Sequence, residues 1–132
     1  MKILLAYDGG EPAQRALTTA ANIAKAMGGS VDVVSVVPVH PGRVAVDPWD
    51  DRDVHAEELR DARNRLAELG IPAKLFEPGG DTPTTIERIA KEGAYDMIVL
   101  GSRRQSVLGR VLQGSVSEHV ATHAEATVVI AH

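Results

Sequence analysis

The sequence contains no cysteine, which excludes a disulfide framework and any metal or redox chemistry that depends on a thiolate. Aromatic residues make up only 3% of the chain, so a core has to be built from valine, isoleucine, leucine and alanine. Such a core is typical of a parallel sheet that alanine-rich helices cover on both faces.

Long apolar runs are absent as well. No stretch approaches the roughly 18 to 20 apolar residues that span a bilayer, so we expect no membrane segment. Asp8 interrupts the short apolar start of the chain, so we expect no signal peptide and a cytoplasmic location. The formal charge of −4 at pH 7 argues against nucleic acid as a partner, because its phosphate backbone attracts basic surfaces.

What is present is the composition of one ordinary globular domain. The chain has 132 residues, of which 44% are hydrophobic and 24% are charged, and we expect a single domain over residues 1–132. Five short apolar runs alternate with four helical patterns, which predicts an α/β fold with a doubly wound, five-stranded parallel sheet and helices on both faces. The predicted strands are 3–7, 31–37, 73–76, 97–100 and 126–131.

The helical patterns have recognisable starts. Pro12 suits the first turn of a helix, because the N–H that proline lacks has no partner there. A second helix is predicted over about 51–69. A third begins near Asp81, with Asp81 or Thr82 as its cap, and a fourth begins near Ser115 with capping-box spacing.

Open α/β sheets bind ligands at the carboxyl ends of their strands, where the strand order reverses. Three stretches follow predicted strands in this way: 8–10, 36–38 and 101–117. The third contains three glycines, three arginines and no acidic residue, although the chain as a whole is acidic. Gly114 and Ser115 open a helix there, and its free N–H groups favour an anion. This pattern predicts a phosphate site, and a plain crossover loop with a well-capped helix is the structural alternative.

Several motifs of nucleotide enzymes and hydrolases are missing. Gly109 and Gly114 have Walker A spacing, but Ser115 stands where that motif requires lysine. No G-x-G-x-x-G follows the first strand, and no G-x-S-x-G is present. We identify no positioned general base and no committed nucleophile, so we expect binding rather than catalysis.

The glycine stretch has the spacing of a known family motif, G-x2-G-x9-G-[ST]. Gly101, Gly114 and Ser115 match it, and Arg104 stands at the second glycine. Together with the opening 3–9, the turn 80–83 and the helix start 114–118, these residues make the chain resemble the universal stress protein family over essentially its full length. We expect the strand order 3-2-1-4-5.

The resemblance implies a regulatory stress-response protein that binds an adenine nucleotide. ATP is the leading ligand, with Mg²⁺ at its phosphates, and ADP, AMP and cyclic AMP are the alternatives. Asp8 would contact the adenosine, although an Asp-Gly turn that caps the first helix is its structural alternative. Val36 would hold the adenine, and the stretch 101–117 would bind ribose and phosphates. The complete set is Ala6, Tyr7, Asp8, Val36, Leu100, Gly101, Arg103, Arg104, Gly114, Ser115, Val116 and Ser117.

A rival hypothesis is a dimeric interaction protein whose nucleotide pocket is vestigial because Arg104 fills the glycine position. A weak ATPase comes third. The last predicted strand, 126–131, is uncharged and should lie at a sheet edge, where a second strand can pair with it. The family pairs these strands, so we expect a homodimer through them; an edge shielded by the chain's own C-terminus is the alternative.

His119 and His123 lie four residues apart and would share one helix face, a spacing that can bind zinc. Val120 occupies the place of the metalloprotease glutamate, and no third ligand is evident from the sequence. We therefore interpret both as surface histidines and predict no metal site.

Overall fold

The structure is a computed structural model that describes residues 1–38, 48–101 and 115–132. Within these ranges the chain forms strands and helices in alternation. The strands are β1 (Lys2–Ala6), β2 (Ser30–Val34), β3 (Val37–Pro38), β4 (Leu75–Phe76), β5 (Gly79–Gly80), β6 (Met97–Gly101) and β7 (Thr127–Ala131). The helices are α1 (Glu11–Met27), α2 (Pro48–Glu68), α3 (Thr82–Glu92) and α4 (Ser115–His123).

Five of the strands form one parallel sheet in the order β4-β2-β1-β6-β7. Counted among themselves in chain order, they have the predicted order 3-2-1-4-5. The central strand is β1, whose Leu5 lies opposite Val33 of β2 and Val99 of β6. The strand order reverses between β1 and β6, so the predicted doubly wound α/β fold is confirmed.

The predicted second and third strands differ from the observed ones. The run 31–37 is divided, because β2 ends at Val34 and Val37 pairs instead with Gly79 in a separate two-stranded ladder. The predicted strand 73–76 is shortened to the two residues of β4. The sequence gives no sign of β5, since two glycines carry no strand propensity.

The helix ends follow the local signals closely. Pro12 lies in the first turn of α1, and Gly28 closes that helix in the left-handed conformation with a φ of 66°. Asp81 is the cap of α3 and accepts the N–H of Thr84 at 3.3 Å, which decides between the two predicted caps. None of the helices in the described ranges is long and apolar enough to cross a membrane.

Each face of the sheet has its own apolar core, because successive strand residues point to opposite sides. One core packs β1 and β2 against α1 and α2, and the other packs β1 and β6 against α3 and α4. Burial of each large aliphatic side chain contributes about 1.5 to 3 kcal/mol. Fully buried examples are Ile3, Leu5, Val33 and Leu66 in the first core, and Leu4, Val34, Ile86, Ile98 and Val120 in the second.

Candidate functional site

Three neighbouring strands end at the same rim of the sheet. β1 ends at Ala6, β2 at Val34 and β6 at Gly101, and all three run parallel. The first turn of α4 reaches this rim, because the hydroxyl of Ser117 donates to the carbonyl oxygen of Gly101 at 3.4 Å. The structure therefore brings together the strand ends and the start of α4, as the sequence predicts.

This rim contains the switch point of the fold. β1 is followed by α1, which packs on one face of the sheet, whereas α4 lies on the other face. The crevice outside the carboxyl ends of β1 and β6 thus has helices diverging on either side of it. Open α/β sheets place their ligands in a crevice of this kind.

Four of the predicted site residues share the α3–α4 face of the sheet. Val36 and Leu100 are buried members of that core, and Ala6 and Val116 are half-buried and pack against it. They come from three strand ends and the first turn of α4. Together they form an apolar surface beside the rim, which we call the apolar floor.

The side chain of Tyr7 lies on the opposite face. It is 3% exposed and belongs to the α1–α2 core, where its hydroxyl donates to Oδ2 of Asp61 at 3.2 Å. Burial, together with the nearby Asp61 carboxylate, raises the pKa of Tyr7 to about 12. Its N–H donates to the carbonyl oxygen of Val34. The side chain is thus separated from the apolar floor, and only the backbone of Tyr7 lies near the strand ends.

Asp8 is exposed directly after β1. Its Oδ1 accepts the N–H of Gly10 at 3.0 Å, and Gly9 between them has a φ of 80°, in the left-handed region that favours glycine. The Asp-Gly turn that the sequence offers as the structural alternative for Asp8 is present, but the N-cap of α1 is Gly10 rather than Asp8. The turn also fixes the carboxylate at the rim, so it positions Asp8 for a ligand contact at the same time.

Hydrogen bonds made by Ser35 and Val37 fix the direction in which the backbone N–H and C=O of Val36 point. The N–H groups of Ser35 and Val37 donate to the carbonyl oxygens of Phe76 and Pro78, on the outer side of β2. Because successive residues of an extended segment direct their backbone groups to opposite sides, the N–H and C=O of Val36 face the β1 side. At that height β1 has ended, so these two groups border the crevice.

Gly101 has a packing role that the sequence does not reveal. A Cβ built on it would lie 2.3 Å from both the carbonyl carbon and the oxygen of Pro12. Only glycine allows the end of β6 to approach the first turn of α1 so closely. The family spacing between Gly101 and Gly114 is therefore accompanied by a steric requirement at Gly101 that is independent of any ligand.

The structure describes only part of the predicted site. Arg103, Arg104 and Gly114 lie outside the described residues. Ser115 is the first residue of α4. Ser117 is buried in the first turn, and its hydroxyl donates a hydrogen bond to the carbonyl oxygen of Gly101. The described part of the site therefore consists of the rim, the apolar floor and the start of α4.

Sequence reasoning missed one cluster of chemically active side chains. Nδ1 of His119 lies 2.8 Å from Oε1 of Glu87, which belongs to α3, and the rings of His119 and His123 stack. The sequence shows no third ligand beside the two histidines, and the structure places Glu87 next to them. Glu87 and His119 are 32 positions apart in the sequence, so no local spacing indicates their contact.

Comparisons with known proteins identify the family to which the sequence is similar. The profile of the universal stress protein family matches residues 1–132. The chain is 30% identical over 134 residues to a universal stress protein of Thermus aquaticus, a match that covers 97% of this chain and 96% of that protein. It is also 26% identical over 161 residues to the stress response protein NhaX of Bacillus subtilis, with 98% of this chain and 96% of the relative covered.

Solved structures agree with the sequence matches. A universal stress protein from Archaeoglobus fulgidus superimposes with a TM-score of 0.86 at 28% identity, over 100% of this chain and 98% of that one. A universal stress protein in complex with cAMP gives a TM-score of 0.80 at 22% identity, covering 100% and 97%. One from A. fulgidus in complex with dAMP gives 0.74 at 24%, covering 100% and 98%. The chain belongs to the universal stress protein family.

Proposed function

We propose that this chain binds an adenine nucleotide, with ATP as the leading ligand, at the rim formed by β1, β2 and β6. The observation that carries the proposal is the convergence of these strand ends with the start of α4 at the switch point of the sheet. The same fold holds cAMP in one structural neighbour and dAMP in another, which supports an adenine nucleotide as the ligand class.

The base would be recognised mainly by the backbone. In the proposal, the C=O of Val36 accepts a hydrogen bond from the exocyclic amine of adenine, and its N–H donates to a ring nitrogen. The apolar floor, to which Ala6 and Val116 belong, packs against the purine face. Asp8, which the turn holds at the end of β1, accepts a hydrogen bond from a ribose hydroxyl.

The phosphates would lie at the start of α4. The N–H groups in the first turn of a helix, together with the helix dipole, favour an anion there. In the proposal, the motif residues bring backbone amides and two guanidinium groups to the phosphates, and Ser117 holds the first turn against β6. Mg²⁺ would arrive with the phosphates, since 101–117 contains no carboxylate that binds it alone. The proposed phosphate-side residues are Leu100, Gly101, Arg103, Arg104, Gly114, Ser115, Val116 and Ser117.

The role we propose is regulation in a stress response by a cytoplasmic, single-domain binding protein. Asp8 is the only carboxylate in the proposed set, and it is engaged by its own turn. A binding function fits this site better than hydrolysis, which needs a base positioned against the attacking water.

We also propose that two copies of the chain pair through β7. Among the described residues, this strand has β6 on one side and no strand on the other. The N–H of Thr127 donates to Asp96 on the β6 side, so alternation directs the N–H groups of Val128 and Ile130 to the open edge. An uncharged open edge favours pairing with a second strand.

Calorimetric titration with ATP, ADP, AMP and cyclic AMP, each with and without Mg²⁺, tests the nucleotide proposal. Gly114→Val should abolish binding, because its side chain blocks the phosphate approach. Asp8→Asn should weaken binding about tenfold, the cost of a hydrogen bond to a charged group, while its amide oxygen still accepts the N–H of Gly10.

Glu11→Gln is the matched control, because Glu11 is an exposed carboxylate near the same turn that pairs with Arg15. It should bind like the native chain, and circular dichroism should show all three variants folded. A native chain that titrates with none of the four nucleotides, or a Gly114→Val variant with unchanged affinity, would contradict the proposal.

A further inference from the structure

We propose that Glu87, His119 and His123 form a binding site for a divalent transition-metal ion that joins α3 to α4. This site is distinct from the rim where the nucleotide is proposed, and it does not depend on that proposal. Each of the three side chains offers one ligand atom, and these atoms all lie within 4.8 Å of one another.

The geometry is close to that of a loaded site. Around zinc, with metal–ligand bonds of about 2.0 to 2.2 Å, two tetrahedral ligands lie about 3.3 Å apart. Nδ1 of His119 and Oε1 of Glu87 are already 2.8 Å apart, and the histidine ring centroids are 4.2 Å apart with 25° between their planes. The three ligand atoms are within reach of one ion, and binding requires the stacked rings to rotate so that both lone pairs point at it.

A hydrogen bond to the backbone orients His123 for metal binding. Nδ1 of His123 lies 2.9 Å from the backbone carbonyl oxygen of His119, an atom that only accepts. Neutral His123 therefore carries its proton on Nδ1, which leaves the lone pair of Nε2 for a metal. A hydrogen bond from the ring to a backbone carbonyl is the usual device that orients a histidine ligand.

Glu87 supplies the charge that the two imidazoles lack. Its side chain is 19% exposed and that of His119 is 41% exposed, so the pair is partly removed from water. The proton of the hydrogen bond between Nδ1 of His119 and Oε1 of Glu87 lies between two potential ligand atoms, where a metal ion can replace it. Replacing that proton by a divalent ion keeps the carboxylate compensated and leaves one coordination position open for water.

Two imidazoles and one carboxylate select a particular class of metal. Nitrogen ligands suit Zn²⁺, Co²⁺, Ni²⁺ and Cu²⁺, whereas Mg²⁺ and Ca²⁺ prefer a shell made of oxygen. A set of two histidines and one glutamate with an open position also occurs in zinc sites of enzymes. We therefore expect zinc to bind and magnesium to bind weakly.

An ion can reach the cluster from solvent. Glu87 and His123 line an open groove of about 680 Å³ where α3, α4 and the starts of β6 and β7 meet. Asp96 and Glu125 line the same groove, and Lys91 contacts Glu125 at 3.8 Å. Arg88 also lines the groove, so its carboxylates and cations are mixed and the groove supplies access rather than a strong charge.

The test is titration of the untagged native chain with Zn²⁺, followed by Co²⁺, whose visible absorption reports nitrogen coordination. One zinc ion per chain is expected. Glu87→Gln, His119→Gln and His123→Gln should each lower the zinc affinity at least about tenfold, because loss of even an outer hydrogen-bonding partner costs about 10- to 100-fold. Zinc should also raise the melting temperature of the native chain and not that of His123→Gln.

His132→Gln and Glu92→Gln are the matched controls, since each removes one histidine or one α3 carboxylate outside the cluster. Both should retain native zinc affinity. The proposal is overturned if the native chain binds zinc no better than His123→Gln, if His132→Gln loses as much affinity, or if Mg²⁺ competes with zinc at equal concentration. His123 is exposed, so its variant keeps the test valid even if His119→Gln fails to fold.

Discussion

At the scale of single residues, Gly101 shows how one position can satisfy two requirements. Its place in the family spacing suggests a backbone that approaches a ligand. The structure adds that any Cβ there would overlap the backbone of Pro12. Loss of binding in a Gly101 variant would therefore not by itself identify a ligand contact.

Gly101→Ala should lower the free energy of unfolding by about 3 kcal/mol, the upper range for overpacking, because the neighbour is backbone and cannot rotate away. Urea unfolding measures this. Gly70→Ala is the control: its φ of 79° is strained for alanine, but a Cβ there meets no atom within 4 Å. It should cost about 1 kcal/mol. An equal cost for both variants would refute the steric role of Gly101.

At the scale of elements, β7 combines an inner ladder with an open edge. Its odd-numbered residues direct their N–H groups to β6, and Val128 and Ile130 direct theirs outward. Proline removes one N–H and leaves the rest of a strand in place. Substitution by proline can therefore separate dimer pairing from the fold.

Val128→Pro should convert the proposed dimer to a monomer at micromolar concentration and leave the chain folded. Val129→Pro should unfold it instead, because that N–H belongs to the ladder with β6. Sedimentation velocity gives the mass, and circular dichroism gives the folded fraction. A native chain that is already monomeric at this concentration, or a Val128→Pro variant that still dimerises, would rule out pairing through β7.

The sequence predicts most of the elements because their signals are local. The strands follow from apolar runs, and the ends of α1 and α3 follow from Pro12, Gly28 and Asp81. The pairing of Val37 with Gly79 could not be predicted, because the two residues are far apart in the sequence and the glycines of β5 have no strand propensity. The contact of Glu87 with His119 was missed for the same reason. It exists because the topology places α3 and α4 on one face of the sheet.

At the scale of the whole molecule, the two tyrosines connect each core to a carboxylate. Tyr7 of the α1–α2 core donates to the exposed Asp61, and Tyr95 of the α3–α4 core donates to Asp32 at 2.6 Å. Burial, and then the hydrogen bond to Asp32, raises the pKa of Tyr95 above its ordinary value. Both layers of the fold thus hold a neutral phenol.

The chain should lose stability at alkaline pH. A tyrosine with a raised pKa binds its proton more tightly when folded, so its contribution is complete below about pH 10 and is lost as the pH rises towards 12, the pKa of folded Tyr7. The loss from Tyr7 should reach about 1.4 kcal/mol at pH 11, half of the about 2.7 kcal/mol that two pKa units represent. Urea unfolding at pH 8, 10 and 11 measures it, and Tyr7→Phe with Tyr95→Phe should flatten the dependence. An equally steep decline in the double variant would assign it to other groups.

The placement of α4 has a consequence for occupancy. Its first turn lies at the carboxyl rim of the sheet, and its last residue, His123, lines the groove at the amino ends of β6 and β7. The proposed nucleotide site and the proposed metal site lie towards opposite ends of α4, so the two ligands would not overlap in one copy of the chain. Helix α4, nine residues and about 13 Å long, reaches both proposed sites, so a ligand at either end contacts the same rigid element.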